Sequence, residues 1–236
     1  MIKEILKKNL VPSEEFIFGF ADLRGLVDKK FDGFHYGVSI GKRLDDKIID
    51  DIENGPTIEY YNYYHRINNE LTVLTRKIHT DLLKAGIDSI NIKPTISEGS
   101  EEYNSEYLRT LTVDISHKMV ATRAGLGWIG KTDLFISRAF GPRLRLVSML
   151  LNQKLASDSV PVEESECGKC NICVVKCPAH AATGKLWNTK IQRDEFFDAQ
   201  KCREKCSELA RKKFNIDVRI CGICVSVCPM SRNLHN

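Results

Sequence analysis

CGKCNICVVKCP, residues 167–178, decides how the last third of the chain folds. Its four cysteines are spaced C-x2-C-x2-C-x3-C with a proline after the fourth, which is the arrangement that two-cluster ferredoxins use to hold iron–sulfur clusters. Residues 221–229, CGICVSVCP, repeat the second half of that run. The two runs together predict a module with two [4Fe–4S] clusters, and hence a protein that transfers electrons singly.

Counting thiolates tests this interpretation. In a two-cluster module three cysteines of a compact run hold one cluster, and the fourth, beside the proline, binds the other. Cluster one is therefore predicted to use Cys167, Cys170, Cys173 and Cys228. Cluster two is predicted to use Cys177, Cys221, Cys224 and an eighth cysteine. Both Cys202 and Cys206 are open for that eighth place, because no other cysteine occurs in the chain.

Two other uses of the cysteines fit the pattern less well. A structural zinc site favours widely separated C-x2-C pairs and has no need of a third cysteine at the same spacing. A disulfide framework is typical of small secreted chains. Here the cysteines number nine, an odd count, and all follow residue 166 of a 236-residue chain.

Composition indicates a folded protein of a reducing compartment. Hydrophobic residues make up 42% of the chain and the formal net charge is +4, which neither demands nor excludes a nucleic-acid partner. Residues 1–10 lack a signal-peptide pattern. Apolar runs such as residues 146–151 are too short to span a bilayer. We expect a soluble cytoplasmic protein with no membrane and no DNA partner.

The first 155 residues contain no cysteine and read as an α/β domain. Periodicity predicts helices at residues 2–10, 45–53, 57–85, 101–109 and 117–124. It predicts strands at residues 16–20, 34–40 and 87–96, and a pair of strands, 134–137 with 144–151, around a Gly-Pro turn. Gly86 is expected to end the long helix.

The cysteine region is expected to form a second, smaller domain. A polar linker at residues 156–166 separates residues 1–155 from residues 156–236, and a helix over residues 194–214 carries the two spare cysteines. The predicted fold class is therefore α+β, with an α/β domain followed by a small ferredoxin-like domain for two [4Fe–4S] clusters.

Three stretches resemble the epoxyqueuosine reductase family, whose members are cobalamin-dependent and related to reductive dehalogenases. They are AGLGWIGK at residues 124–131, FDAQKC at 197–202 and GICVSVCP at 222–229. The resemblance covers about residues 110–230. It is to a short form, since characterised members continue into a helical-repeat domain and this sequence ends at residue 236. In the family the cysteine that ends the second stretch is a cluster ligand, which favours Cys202 over Cys206.

The resemblance implies a fold and a chemistry. The N-terminal domain would be nitroreductase-like and hold a corrinoid, cobalamin, in a cleft facing the clusters. Low-valent cobalt would perform the reduction, while the protein positions it and supplies electrons. The family reduces the epoxide of a modified tRNA base, the last step of queuosine synthesis. Expected partners are an electron donor such as a ferredoxin or flavodoxin, and a tRNA or small-molecule substrate.

Candidate cofactor contacts follow from the same resemblance. Those residues are Arg123, Gly125, Gly127, Trp128, Gly130, Lys131 and Arg143. The alternatives are a tight turn for the glycines, core packing for Trp128 and solvated surface for the basic side chains. Asp114 is the nearest match to the family's catalytic aspartate and could donate a proton, although the proline and glutamate of the family's frame are absent here; a capping residue at a strand end is the alternative.

Other conspicuous side chains have structural interpretations. Tyr60, Tyr61, Tyr63 and Tyr64 spread around a helix, so at most two share a face. His65 and His79 have no ligand partner at metal spacing, and residues 201–213 are expected to form a basic helix face near cluster two. The leading functional hypothesis is a corrinoid-dependent reductase. The alternatives are a cobalamin-free electron-transfer protein and, less favoured, a structural or redox-sensing cluster protein.

Overall fold

A computed structural model describes residues 1–155 and 160–231. The first residues of the predicted linker, 156–159, lie outside this description. The chain divides into two compact units, each assembled from separate stretches. Unit 1 comprises Met1–Arg43, Ile67–Leu126 and Arg145–Val162, and unit 2 comprises Leu44–Arg66, Gly127–Leu144 and the chain from Glu163 onward.

The regular elements make this a mixed α/β protein. The helices are α1 (Ile2–Asn9), α2 (Asp46–Asp50), α3 (Ile58–Lys84), α4 (Ser105–Thr110), α5 (His117–Arg123), α6 (Ile172–Val175), α7 (Ala199–Phe214) and α8 (Ile223–Ser226). The strands are β1 (Phe16–Asp22), β2 (Tyr36–Arg43), β3 (Ser89–Ile92), β4 (Gly127–Ile129), β5 (Phe135–Ser137) and β6 (Leu144–Leu151). Short 3₁₀ turns occupy Ser13–Glu15, Lys29–Phe31, Arg193–Glu195 and Pro229–Ser231.

Unit 1 is built on a four-stranded sheet in the order β1-β2-β6-β3. Strands β1 and β2 pair antiparallel with Phe16 opposite Lys42, and β3 pairs antiparallel with β6. An apolar core of Ala21, Leu23, Ile115, Val120, Ala124 and Leu150 covers the sheet. Burial of that apolar surface, at about 25 cal/mol per Å², is what stabilises helix against sheet.

Helix ends follow from local chemistry. The side chain of Asp45 accepts a hydrogen bond from the Ile48 amide at 3.0 Å and starts α2, as an N-cap residue does. Gly86, with φ +76°, ends α3 and allows the Ile87 amide to bond back to the Leu82 carbonyl at 3.0 Å. The predicted stop at Gly86 is confirmed, and so is the long helix itself.

Unit 2 contains a two-stranded ribbon, β4 paired antiparallel with β5, together with α2 and the cysteine region. Helix α8 begins at Gly222, where φ is +88°. An added Cβ there would lie 2.2 Å from the Ile52 side chain and 3.0 Å from the Tyr60 ring. The backbone of the second cysteine run therefore packs directly on the chain around α2 and the start of α3.

Two sequence-based predictions of strands need correction. The predicted pairing of residues 134–137 with 144–151 is wrong, because β5 pairs with β4 while β6 lies in the sheet of unit 1. The glycine-rich segment that was predicted as a turn contains β4, which pairs with β5 to form the ribbon. Residues 37–41 of β2 are all buried, since it is an inner strand of the sheet.

The predicted cut between residues 155 and 156 stays a prediction. Stretches Leu44–Arg66 and Gly127–Leu144, both before that cut, group with the cysteine region. Within residues 1–155 and 160–231, each helix is too short or too polar to span a bilayer.

Candidate iron–sulfur site

Four thiols from the two cysteine runs lie close together in unit 2. Burial raises the pKa of Cys173, and the neighbouring charges of Cys167 and Cys170 raise it further. Burial likewise raises the pKa of Cys228 to about 11, with additional contributions from those same three thiols. These are the four cysteines whose spacing assigned them to cluster one, and the assignment as ligands stays a prediction.

A second group of thiols contains both spare cysteines. The Sγ atoms of Cys202 and Cys206 are 4.0 Å apart, and Cys206 is also hydrogen-bonded to Cys221. Burial raises the pKa of Cys224 well above its usual range, and the charges of Cys221 and Cys202 act in the same direction. Cys177 packs with Cys202 against one apolar cluster. Three of the four cysteines predicted for cluster two, Cys202, Cys221 and Cys224, therefore belong to this group, and Cys177 shares an apolar cluster with Cys202.

Hydrogen bonding distinguishes Cys206 from its neighbours. A hydrogen bond with Cys206 lowers the pKa of Cys221 to about 7 and also lowers the pKa of Cys202. The same contacts, together with burial, hold the pKa of Cys206 far above its ordinary value. The assignment of Cys202 as the eighth ligand, with Cys206 as the spare thiol, stays a prediction.

Across residues 1–155 and 160–231, no group of three or more His, Cys, Asp or Glu side chains is arranged to hold a single metal ion. All nine cysteines are free thiols.

Residues 127–133, named here the thiol-lining segment, run past both groups of cysteines. Trp128 lies in β4, is only 2% exposed and donates its indole N–H to the Sγ of Cys167 at 3.3 Å. An added Cβ on Gly130 would lie 3.6 Å from the same sulfur. The Arg138 guanidinium stacks over the indole with its carbon 5.7 Å from the ring centroid.

The next three residues continue along the cysteine loops. Lys131 is 3% exposed, and its ammonium group donates to the Cys170 carbonyl at 2.9 Å and to the Asn171 side-chain oxygen at 2.7 Å. The Thr132 hydroxyl is hydrogen-bonded to a thiol of each run, Cys173 and Cys224. Asp133 lies close enough to Cys202 for its charge to act on that thiol. One short segment thus contacts both thiol groups.

Two arginines fix the surroundings of the thiols. The Arg143 side chain is buried and ion-paired with Asp46 at 2.9 Å and Asp50 at 2.5 Å. Its guanidinium also reaches the Ser226 carbonyl at the end of α8, at 3.5 Å. Arg138 forms a two-bond contact with Glu166, one residue before the first cysteine. Solvated surface, the sequence-based default, is therefore wrong for Lys131 and Arg143.

The remaining predicted site residues lie in unit 1. Gly125 follows α5 with φ +72°, as a tight turn requires. Arg123 is partly buried near Asp22, whose pKa is lowered mainly by a hydrogen bond from Arg24 and slightly by Arg123. Asp114 is 52% exposed and ion-paired with Lys30. The proposed catalytic role of Asp114 stays a prediction.

The structural interpretations of other side chains hold. Of the four tyrosines at the start of α3, the two that are buried are Tyr60 and Tyr63. His79 Nδ1 lies 2.7 Å from the Ser89 hydroxyl. The basic face predicted for residues 201–213 is neutralised in part, because three of its cations pair with acidic neighbours: Lys201 with Asp198, Lys205 with Glu208 and Arg211 with Asp217.

Sequence reasoning missed three residues at this site. Thr132, Asp133 and Asn171 contact the thiols or the loop that carries them. Their signal was position alone, since two directly follow the glycine-rich stretch and the third lies between Cys170 and Cys173.

Comparison with known proteins identifies the cysteine region. Residues 166–231 match the family described as a 4Fe-4S double cluster binding domain. The chain is 30% identical over 151 residues to the epoxyqueuosine reductase of Lactococcus garvieae. This alignment covers 60% of this chain and 40% of that protein. It is 34% identical over 128 residues to the enzyme of Listeria monocytogenes, covering 51% of this chain and 31% of that one.

Solved structures share the fold. A catabolic reductive dehalogenase, NpRdhA, superposes with a TM-score of 0.64 over 92% of this chain at 14% identity, covering 30% of its own chain. An epoxyqueuosine reductase solved with a tRNA-Tyr epoxyqueuosine-modified stem loop gives a TM-score of 0.58 over 98% of this chain at 17% identity, covering 65% of its own.

These comparisons confirm the resemblance to epoxyqueuosine reductases and the double-cluster domain that the cysteine spacing predicted. The chain spans 40% or less of the length of the two curated relatives named above. At under 20% identity, the likeness to the solved structures establishes the fold.

Proposed function

We propose that this chain is the reductive part of an iron–sulfur oxidoreductase of the epoxyqueuosine reductase type, acting in the reducing cytoplasm. One observation carries the proposal. Two groups of thiols, joined by one lining segment, occupy a region that matches a double-cluster domain. Unit 1 would correspond to the nitroreductase-like domain implied by the resemblance.

The number of electrons fits such a reaction. Reducing an epoxide to an alkene breaks both C–O bonds, consumes two electrons and two protons, and releases the oxygen as water. Each [4Fe–4S] cluster carries one electron, so two clusters store the two that are needed. A low-potential one-electron carrier, of the ferredoxin or flavodoxin class, would replenish them.

The donor set suits the clusters. Thiolates are the ordinary ligands of [4Fe–4S] clusters. Cluster one would be held by Cys167, Cys170, Cys173 and Cys228, and cluster two by Cys177, Cys202, Cys221 and Cys224. The Cys206 thiol would remain a hydrogen-bond donor to two ligand sulfurs of cluster two.

A corrinoid, when bound, would supply a low-valent cobalt that is both nucleophile and reductant. Unit 1 contains buried polar atoms that have no hydrogen-bond partner within the described residues, among them Ser39 Oγ, Asn68 Nδ2 and Asn91 Oδ1. Buried polar groups normally have partners, and amide-bearing ligands could supply them. Gly125 and Arg123 are the predicted cofactor residues of this unit, where a glycine turn permits close approach.

The proposed substrate is the epoxide of a modified tRNA base or another small electrophile. The relative solved with a tRNA stem loop supports the first of these. Basic side chains such as Arg123 would face phosphate more readily than a neutral surface would.

A second function, electron transfer to a partner without cobalamin, also has an observation in its favour. Trp128 and Lys131 were candidates for corrinoid contact, yet their polar atoms are directed to the cysteine loops. Asp114, the candidate proton donor, is half-exposed and paired with Lys30.

Anaerobic reconstitution separates these functions. The chain is loaded with iron and sulfide, its metal content is measured, and cobalamin is then titrated while the visible spectrum is recorded. We expect about eight irons per chain and a spectral shift to a bound, base-off corrinoid. The same titration on a Cys167→Ser, Cys221→Ser chain controls for binding that needs intact clusters.

The outcomes are distinct. Eight irons with no spectral change at high cobalamin would leave the electron-transfer function. Stoichiometric zinc without inorganic sulfide would exclude both functions, since neither works without clusters.

A further inference from the structure

We propose that Trp128 and Lys131 raise the reduction potential of cluster one above that of cluster two. A single electron added to the holo chain would then reduce cluster one. The inference rests on the proposed function, because it requires both clusters. It concerns this chain's own side chains, whose positions relative to the thiols are described above.

Reduction of a [4Fe–4S] cluster adds one negative charge to it. Hydrogen bonds to the sulfurs and nearby charges are therefore among the factors that set the potential. A donor aimed at a ligand sulfur stabilises the reduced form, and so does a nearby cation. A nearby carboxylate stabilises the oxidised form. The two sets of thiols differ in which of these groups lie near them.

Cluster one has a donor and a cation. The Trp128 indole N–H bonds to the Cys167 sulfur at 3.3 Å from a buried ring, so water does not compete for it. The Lys131 ammonium group is also buried, and its recorded partners, the Cys170 carbonyl and the Asn171 amide oxygen, carry no charge. A buried charge acts at short range with little screening by salt.

Cluster two differs in its surroundings. Cys206 is hydrogen-bonded to two of its sulfurs, but a thiol is only a weak donor. The carboxylates of Asp133 and Asp198 both act on the Cys202 thiol. Asp198 caps α7, and its carbonyl accepts the Cys202 amide one turn later at 3.2 Å. The nearby cation, Arg143, reaches α8 but is balanced by Asp46 and Asp50. Lys201 pairs with Asp198 at 3.4 Å, in an exposed contact that weakens that carboxylate only in part.

Redox titration of the holo chain, followed by electron paramagnetic resonance, tests the assignment. Two one-electron waves are expected. Trp128→Phe and Lys131→Met should each lower the equilibrium constant for the higher wave about tenfold, which is 59 mV for one electron, and leave the lower wave in place. Asp133→Asn, which preserves the shape of the side chain, should instead raise the potential of the lower wave.

Matched controls exist in the chain. Trp187 is the other tryptophan and packs on the apolar cluster around Phe196, so Trp187→Phe tests loss of an indole elsewhere in unit 2. Lys169 is an exposed lysine of the same cysteine loop, so Lys169→Met tests loss of a screened charge. Neither control should change the equilibrium constant of either wave by more than about twofold.

One substitution removes only the hydrogen-bond donor. Benzothienylalanine at position 128, in the Trp187→Phe background, keeps the size of the indole and replaces its N–H with sulfur. It should reproduce the Trp128→Phe shift with eight irons retained, even if the phenylalanine variant loses iron.

The results that would overturn the inference are specific. One is an unchanged potential of the higher wave in the benzothienylalanine and Lys131→Met chains. The other is a change in the potential of the lower wave in those chains. A wild-type chain that takes up no iron and sulfide would instead overturn the proposed function. Iron and sulfide counts on every sample therefore distinguish the two failures.

Discussion

Gly127 is the residue at which the ribbon of unit 2 leaves no room for a side chain. A Cβ built on it would lie 2.0 Å from the Ile136 carbonyl oxygen and 2.8 Å from the Ser137 Cα. Both are backbone atoms of the paired strand β5, which cannot move without breaking the pairing. Its neighbour Gly130 would meet the Ile136 side chain at 3.1 Å, and a side chain can adjust.

Gly127→Ala should therefore lower the free energy of unfolding by about 3 kcal/mol, and Gly130→Ala by about 1 kcal/mol, as overpacking of a tight site does. Denaturant titration of both variants, with iron content checked, measures the difference. Equal losses would mean that the ribbon is not as closely packed as described.

His117 gives a prediction for pH. Its Nε2 lies 2.9 Å from the Lys93 carbonyl and so carries the proton, while Nδ1 accepts from the Ser148 hydroxyl, also at 2.9 Å. Burial and, to a smaller extent, the charge of Arg145 lower the pKa of His117 to about 4. The unfolded chain, with an ordinary pKa near 6.5, binds the proton more tightly, so stability is present above pH 6.5 and is lost as pH falls toward 4.

Between pH 7 and pH 5 this single group should cost the wild-type chain about 2 kcal/mol of stability. His117→Gln, which keeps the neutral donor, should remove that part of the pH dependence. His65→Gln, at an exposed position on α3, should not. Unfolding free energies measured at both pH values decide the matter, and parallel pH profiles for wild type and His117→Gln would contradict it.

The residues of the candidate site were predictable to different degrees. Cysteine spacing is local along the chain, so the two thiol groups followed from the sequence. The partners of Trp128 and Lys131 lie about forty positions further on, and no local pattern connects them. The ion pairs of Arg143 were not predicted, because its partners, Asp46 and Asp50, precede it by more than ninety positions.

At the scale of elements, α7 places two cysteines one helical turn apart. Residues at i and i+4 share a helix face, so both thiols can approach the same cluster. The proposed ligand is Cys202, with Cys206 as its hydrogen-bonding neighbour.

Cys202→Ser should reduce the iron content from about eight to about four atoms per chain, because one cluster loses a ligand. Cys206→Ser should keep about eight, since a hydroxyl can still donate to Cys221. Iron and sulfide assays on anaerobically purified chains measure both. Equal losses from the two substitutions would contradict the assignment on α7.

Elements were predicted best where they are long or strongly periodic. Helix α3 was predicted to within one residue at each end, whereas β4, three residues long, was missed. That omission also produced the wrong partner for β5. Short strands in glycine-rich sequence carry too little periodicity to be read, and their pairing is fixed by contacts that close only in the folded unit.

For the whole molecule, iron should stabilise one unit more than the other. All nine cysteines lie in unit 2, and metal bound only by the folded state adds its binding free energy to folding. Unit 1 has an apolar core of its own around the sheet.

Anaerobic removal of iron with a chelator should therefore increase amide hydrogen exchange in residues 127–144 and 163–231. Protection in residues 67–126 should change little. Mass spectrometry of peptides from the exchanged protein measures both regions in one experiment. A uniform loss of protection along the chain would show that the two units do not unfold separately.

Interruption of unit 2 by other stretches of the chain has a consequence for protein engineering. A fragment starting at residue 156 would carry every cysteine but would omit the indole, ammonium and hydroxyl groups that surround the sulfurs. Grafting such a fragment onto an unrelated scaffold should give a poorly assembled, easily oxidised cluster carrier. A fragment that assembles both clusters must also include residues 44–66 and 127–144. The cysteine region is therefore not expected to fold correctly by itself.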